Sequence, residues 1–227
     1  MIYTVISDTL GRENLIECKK DCRLLRQSEI SLPENILKYI DKSKNPGVKE
    51  ERLLAYTSLF GSLKLFFDID EPKIGRQDNG KPILLSHNER TIHFNISHSD
   101  GMVAVTLSDE GEVGVDIQAE IVSGRQEHLD KRFLSDLQIK SENLSVDFYF
   151  CTLSNSTLEF RKIELRLSDG KSFFDRWTAL ESVLKLDGGG FGSLSFAPVL
   201  MKNVKTDIRK INLLNKSYSL SNSIKNG

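Results

Sequence analysis

Three period-two segments within residues 92–117 constrain this chain more than anything else in it. Ile92, Phe94 and Ile96 alternate with His93 and Asn95; Val103, Val105 and Leu107 with Ala104 and Thr106; Val113, Val115 and Ile117 with Gly114, Asp116 and Gln118. Alternation at that period puts each apolar set on one face of an extended strand, which no helix does. The links, residues 97–101 and 108–112, are too short for a crossover, so an antiparallel meander is predicted.

Helical spacing flanks the meander. After the breaker Asn45-Pro46-Gly47, Val48, Ala55, Leu59, Leu63 and Phe66 recur at multiples of three and four, with Arg52 at the edge of that face. A second helix begins at Ser172, carries Phe173, Trp177, Leu180 and Leu184 on one side, and stops at Gly188-Gly189-Gly190. Ser31-Leu32-Pro33-Glu34 reads as the capped start of a shorter helix, and residues 127–133 read as helical. Residues 2–6, 146–150 and 163–167 read as strands, and Asp78-Asn79-Gly80-Lys81-Pro82 as a tight turn. The tail alternates weakly, with Tyr218 and Leu220 in a last strand. Residues 141–170 read as a hairpin decorating the surface. At 227 residues this makes an α+β chain of two similar halves, 1–113 and 114–227, each a small antiparallel sheet with helices.

Composition removes several function classes. The net charge is −1, and the stretches before and after Val113 carry −3 and +2, so a nucleic-acid-binding arm has no support. No apolar run approaches the ~20 residues of a membrane span, and the N-terminus reads as a strand rather than a leader. Cys18, Cys22 and Cys151 are too few for a disulfide framework and wrongly spaced for a CxxC pair, which suits a reducing cytoplasm. The histidines, His87, His93, His98 and His128, show no i,i+4 pair for a metal site. A nucleophile elbow, a P-loop and a dinucleotide fingerprint are all missing.

Some chemistry can be read from phase alone. Asp116 and Gln118 share the strand face that Gly114 leaves open, an acid and an amide oxygen that suit a hard cation such as Mg²⁺. A solvated strand face explains the same pattern. Glu181 and Lys185, four apart, border the aromatic seam of their helix and suit an acid on a metal and a lysine facing an anion; a surface ion pair explains that spacing too. His98, in a loop between serines, can offer N–H donors to a phosphate.

In order, these pieces resemble the Sfp-type 4′-phosphopantetheinyl transferases. The likeness rests on Gly80-Lys81-Pro82, Phe94-Asn95-Ile96-Ser97-His98-Ser99, Val113-Gly114-Val115-Asp116-Ile117, and Trp177-Thr178-Ala179-Leu180-Glu181-Ser182-Val183-Leu184-Lys185, with Arg132-Phe133 as a weaker block. It covers residues 80–120 and 172–192 best. The resemblance implies a pseudo-twofold pair of α+β subdomains with coenzyme A between them. It also implies transfer of the 4′-phosphopantetheine arm to a serine of an acyl or peptidyl carrier protein, releasing adenosine 3′,5′-bisphosphate. Carried over, Asp116, Glu181 and Gln118 would hold Mg²⁺, with Lys185 at the pyrophosphate and Arg52 and His98 at the 3′-phosphate. Lys81 and Ser97 would lie along the adenosine, and the catalytic set would be Asp116, Glu181 and Lys185. Neither nucleic acid nor membrane is an expected partner, and a monomer is expected. Two departures stand out: Gln118 replaces a third acid, and Leu180 replaces the lysine before the glutamate. They keep open a relative that binds coenzyme A or carrier protein without turnover.

Overall fold

The computed structural model describes residues 1–9, 18–85, 91–135, 137–213 and 216–225; His87 and the side chain of Cys18 lie outside what is described. Its core is a stack of layers. Strands β1 (Ile2–Asp8), β2 (Cys18–Arg26), β5 (His93–Ser99), β6 (Met102–Ser108), β8 (Val146–Ser154) and β9 (Thr157–Ile163) form a six-stranded sheet in the order β2-β9-β8-β1-β6-β5. Only β1 and β8 run parallel in it. A four-stranded antiparallel sheet follows the order β10 (Arg166–Leu167), β11 (Val204–Leu213), β12 (Lys216–Lys225), β7 (Val113–Ala119). The short hairpin β3 (Ile74–Arg76) and β4 (Pro82–Leu84) stands apart. This is a mixed arrangement consistent with α+β.

Helix α1 (Glu34–Asp41) leads into α2 (Pro46–Phe67), which covers the outer face of the larger sheet. Asn45 caps α2 by accepting from the Gly47 N–H at 2.9 Å. From Ala55 to Leu63 every residue of α2 is buried, so this stretch is enclosed all round rather than amphipathic. Ser31 does not cap α1; Pro33 occupies that position without a side-chain bond. Between the sheets, Ile6, Met102, Ala104, Phe148 and Phe150 pack against Val115, Ile117, Ile211, Tyr218 and Leu220. The far side of the smaller sheet is covered by α4 (Phe173–Asp187), capped by Ser172 and ended by Gly188 at φ 83°. Outside α4 the helical turns 130–134 and 190–196 and α5 (Ala197–Lys202) meet its aromatic seam, and α3 (Gln126–Leu129) leads into the first of these turns.

Two expectations change. The meander is half present: β5 and β6 pair, but β7 crosses to the other sheet and pairs with β12. Period two reports which face is buried and says nothing about which neighbour a strand chooses. The 141–170 segment is no decoration. Its hairpin lies inside the six-stranded sheet against β1, with Phe148, Tyr149, Phe150, Leu158 and Phe160 all buried. That sheet therefore draws strands from both sides of Val113. The last strand expected at Tyr218 and Leu220 is present as β12, paired with β11 along ten residues.

Candidate active site

Strands β5 and β7 are edges of different sheets, and they meet at one seam. Where a backbone ladder is missing, side chains supply it. The N–H groups of Val115, Ile117 and Ala119 donate to Asn95 Oδ1, Ser97 Oγ and Ser99 Oγ at 3.4, 3.2 and 3.1 Å. Every second residue of β5 is thus a rung, which accounts for the Asn-x-Ser-x-Ser spelling of 95–99.

Helix α4 closes over this seam because β7 has no side chain at Gly114. A Cβ there would sit 1.9 Å from the Ser182 carbonyl oxygen and 2.8 Å from the Leu186 nitrogen. The space beside Asp116 was expected to receive a ligand; it receives the backbone of α4 instead. The close approach brings the last turns of α4 onto β7.

Asp116 is 2% exposed. Its Oδ1 accepts from Lys185 Nζ at 2.5 Å and from Ser97 Oγ at 2.8 Å, and Lys185 Nζ also reaches Ser97 Oγ at 2.8 Å. Asp116 Oδ2 is buried with no hydrogen-bond partner. Glu181 stands one turn before Lys185. Burial, then the negative charge of Asp116 and a hydrogen bond shared with it, push its carboxyl up to about 7, against a partial offset from Lys185 and a bond from Trp177. Two carboxylates, one lysine and one serine therefore converge, with one buried acceptor unmet. The orphaned oxygen and the mutual repulsion of the acids are what a divalent cation relieves, and one or two carboxylates plus phosphate oxygens are the usual ligands of Mg²⁺. Asp116 and Glu181 fit that role.

The other expected site residues lie further out. Gln118 turns its amide to donate to the Ala119 carbonyl at 3.2 Å. Lys81 places its ammonium on the Leu186 carbonyl at 2.7 Å, capping the C-terminus of α4, and burial lowers its pKa. His98 Nδ1 pairs with Glu51 Oε2 at 2.7 Å, while Glu51 Oε1 accepts from the Gly101 N–H. Arg52 donates to the Tyr39 carbonyl at 3.2 Å and stacks over the Tyr39 ring at 4.6 Å. Leu180 is fully buried with Leu134, Leu184 and Ala197, so a lysine at this position would have no place without repacking. Sequence reading missed Glu51 and Tyr39, because only the tertiary fold joins them to the chemistry.

A stretch of 111 residues, 49% of this chain, is 32% identical to a Synechocystis sp. protein named "Putative 4′-phosphopantetheinyl transferase". The match spans 37% of that protein's length. No family model matches the chain. Among the described residues, no helix is long and apolar enough to cross a membrane.

Proposed function

We propose that the chain transfers the 4′-phosphopantetheine arm of coenzyme A to a serine of an acyl or peptidyl carrier protein, in the manner of Sfp-type enzymes and with Mg²⁺. One observation carries the reading: Asp116, Glu181, Lys185 and Ser97 converge from three elements on a buried, unmet carboxylate oxygen. The partial likeness to a protein named as such a transferase points the same way.

In this reading the ligand lies across the seam between the two sheets, each backed by its own helix, as a pseudo-twofold pair would place it. Asp116 and Glu181 hold the metal; bound there, Mg²⁺ neutralises the pyrophosphate. Lys185 adds a second positive charge against the leaving phosphate, and Asp116 with Ser97 fixes its ammonium. The carrier serine Oγ attacks the phosphorus that bears the pantetheine. A new P–O bond forms as the pyrophosphate P–O bond breaks, and adenosine 3′,5′-bisphosphate departs. The serine proton passes to Glu181 or to a water it orients. Arg52 and the free Nε2 of His98 serve the 3′-phosphate, and Lys81 holds the turn that borders the adenosine. Gln118 can reach the metal only by giving up its bond to Ala119.

Intact-protein mass spectrometry with coenzyme A, Mg²⁺ and a panel of apo carrier proteins tests this. The expected result is the gain of one phosphopantetheinyl arm, lost when a chelator is added. Leu180 and the averted Gln118 favour a second reading, binding without turnover; coenzyme A bound by the folded protein with no carrier modified would establish it.

A further inference from the structure

The buried cluster holds three charged side chains, and one ion pair is made among them. Lys185 Nζ bonds Asp116 Oδ1 and Ser97 Oγ. Among the described residues Glu181 forms no ion pair. The charges acting on it are that of Asp116, which repels it, and that of Lys185, which offsets part of the repulsion. Ser97 Oγ also donates to Asp116 Oδ1 and accepts from the Ile117 N–H, so the ammonium is seated on a residue that the seam itself holds in place. An ammonium on a buried carboxylate already does part of a metal's work there. It neutralises Asp116 and satisfies one of its two oxygens.

A count of charge shows what that ammonium does to an incoming metal. With both acids ionised, Asp116, Glu181 and Lys185 together carry one net negative charge. A divalent cation alone turns this into one net positive charge, with the ammonium and the ion on a shared carboxylate. A diphosphate diester alone makes it three negative charges, with two acids facing phosphate oxygens. Both ligands together restore the single negative charge. Without Lys185 the metal alone would give a neutral cluster, so the ammonium is what makes the metal-only state unfavourable. The Lys185 side chain is 31% exposed and that of Asp116 is 3% exposed. The lysine can therefore turn from the carboxylate to a phosphate at the mouth of the seam while Asp116 stays where it is.

We propose that Lys185 is a built-in counter-cation that holds a divalent metal out of the cluster until a diphosphate binds, so that metal and diphosphate enter as cooperating ligands. The inference rests on the reading of coenzyme A as the donor, whose diphosphate gives the ammonium another partner and frees Asp116 for the metal. The coupling is reciprocal: whatever factor the diphosphate adds to metal affinity, the metal adds to diphosphate affinity.

Titration of the whole chain with Mn²⁺ alone tests it, with the free ion read by electron paramagnetic resonance at a pH that ionises both acids. The wild-type protein should bind Mn²⁺ weakly, and saturating coenzyme A should tighten that binding by about tenfold or more. Calorimetry should show Mn²⁺ tightening coenzyme A by the same factor. Lys185→Met should bind Mn²⁺ alone about tenfold or more tighter than the wild type, and coenzyme A should then add little. Lys185→Arg keeps the charge and should bind Mn²⁺ alone as weakly as the wild type; a gain equal to that of Lys185→Met would overturn the charge argument. Tight binding of Mn²⁺ by the wild type alone, unimproved by coenzyme A, would overturn the inference without any variant. So would a folded Lys185→Met chain that binds Mn²⁺ no better than the wild type. Tighter Mn²⁺ binding by Lys185→Met, with no effect of coenzyme A on either protein, would overturn the donor reading and leave the exclusion by Lys185 standing.

Discussion

Helix α4 has a buried carboxylate–lysine cluster at each end, and the two are built to different standards. At its N-terminal end Asp175, 1% exposed, receives Lys210 at 2.7 Å, Ser168 at 2.7 Å and Ser219 at 2.8 Å, and Lys210 is shared with Glu120. Burial alone would raise the Asp175 carboxyl, but the bonds from Lys210, Ser168, Ser172 and Ser219 outweigh it and hold the pKa below its ordinary value. At the C-terminal end Asp116 has an oxygen with no partner, and the neighbouring Glu181 is pushed up to about 7. A cluster that satisfies every atom fixes a helix in place. One that leaves an acceptor unmet beside a second acid is costly as it stands and becomes favourable when a cation arrives.

The largest test of this contrast is Asp116→Asn. Transfer should fall by about a thousandfold, on the order of 4 kcal/mol of barrier, while the thermal midpoint stays close to that of the wild type. A normal rate in that variant would remove the cation from the argument. Asp175→Asn should do the reverse, costing roughly 3 kcal/mol of stability in denaturant melts because Lys210 loses its buried partner, with the rate per folded molecule unchanged.

Acidity should separate the two ends next. Glu181 holds a proton in the folded chain that the unfolded chain has released between about 4.5 and 7. The folded state therefore binds more protons in that window, and stability of the metal-free protein should decline as pH rises through it, by about 3 kcal/mol. Glu181→Gln should flatten that decline. Asp175 has the opposite sign: its lowered pKa contributes stability above 3.8 that is lost only as pH falls below that value. Melts across pH 4–8 decide the matter, and a Glu181→Gln profile parallel to the wild type would contradict the assignment. The smallest expected effect is that of Lys185→Ala, a loss of about tenfold or more in transfer rate, against none for the exposed Lys140→Ala. Equal rates in the two variants would reduce Lys185 to a structural ion pair with Asp116.

Much of this was legible in the chain itself. Periodicity placed β5, β6, β7 and the seam of α4, and helical phase put Glu181 and Lys185 on one side. Phase also put Asp116 on the side of β7 away from the inter-sheet core, which is where α4 proves to lie. What escaped was set by partners remote in sequence. Strand β12 buries Ser219, Ser221, Asn222 and Ser223, polar residues that look solvated until their partners are seen: Ser182 for Ser221 and Ser223, Thr4 and Thr106 for Asn222, and Lys210, Glu120 and Asp175 for Ser219. Strand β2, with Lys19, Lys20 and Asp21, pairs with β9 at the edge of the sheet and carries no alternation of its own. Lys81 and Gln118 were recognised by type, but their bonds to Leu186 and Ala119 depend on local geometry that spacing does not encode. Tyr39 and Arg52 come from separate elements and share no pattern at all.

The side-chain rungs from Asn95, Ser97 and Ser99 have one more effect. A row of bare N–H groups along β7 would be a template for a strand from another molecule, the usual start of edge-to-edge aggregation. Here the row is already engaged by short polar side chains that offer a visiting strand no continuous backbone to extend. Ser97 is one of those rungs and also touches Lys185, so the residue that steadies the buried lysine also helps keep the protein from polymerising through its own edge.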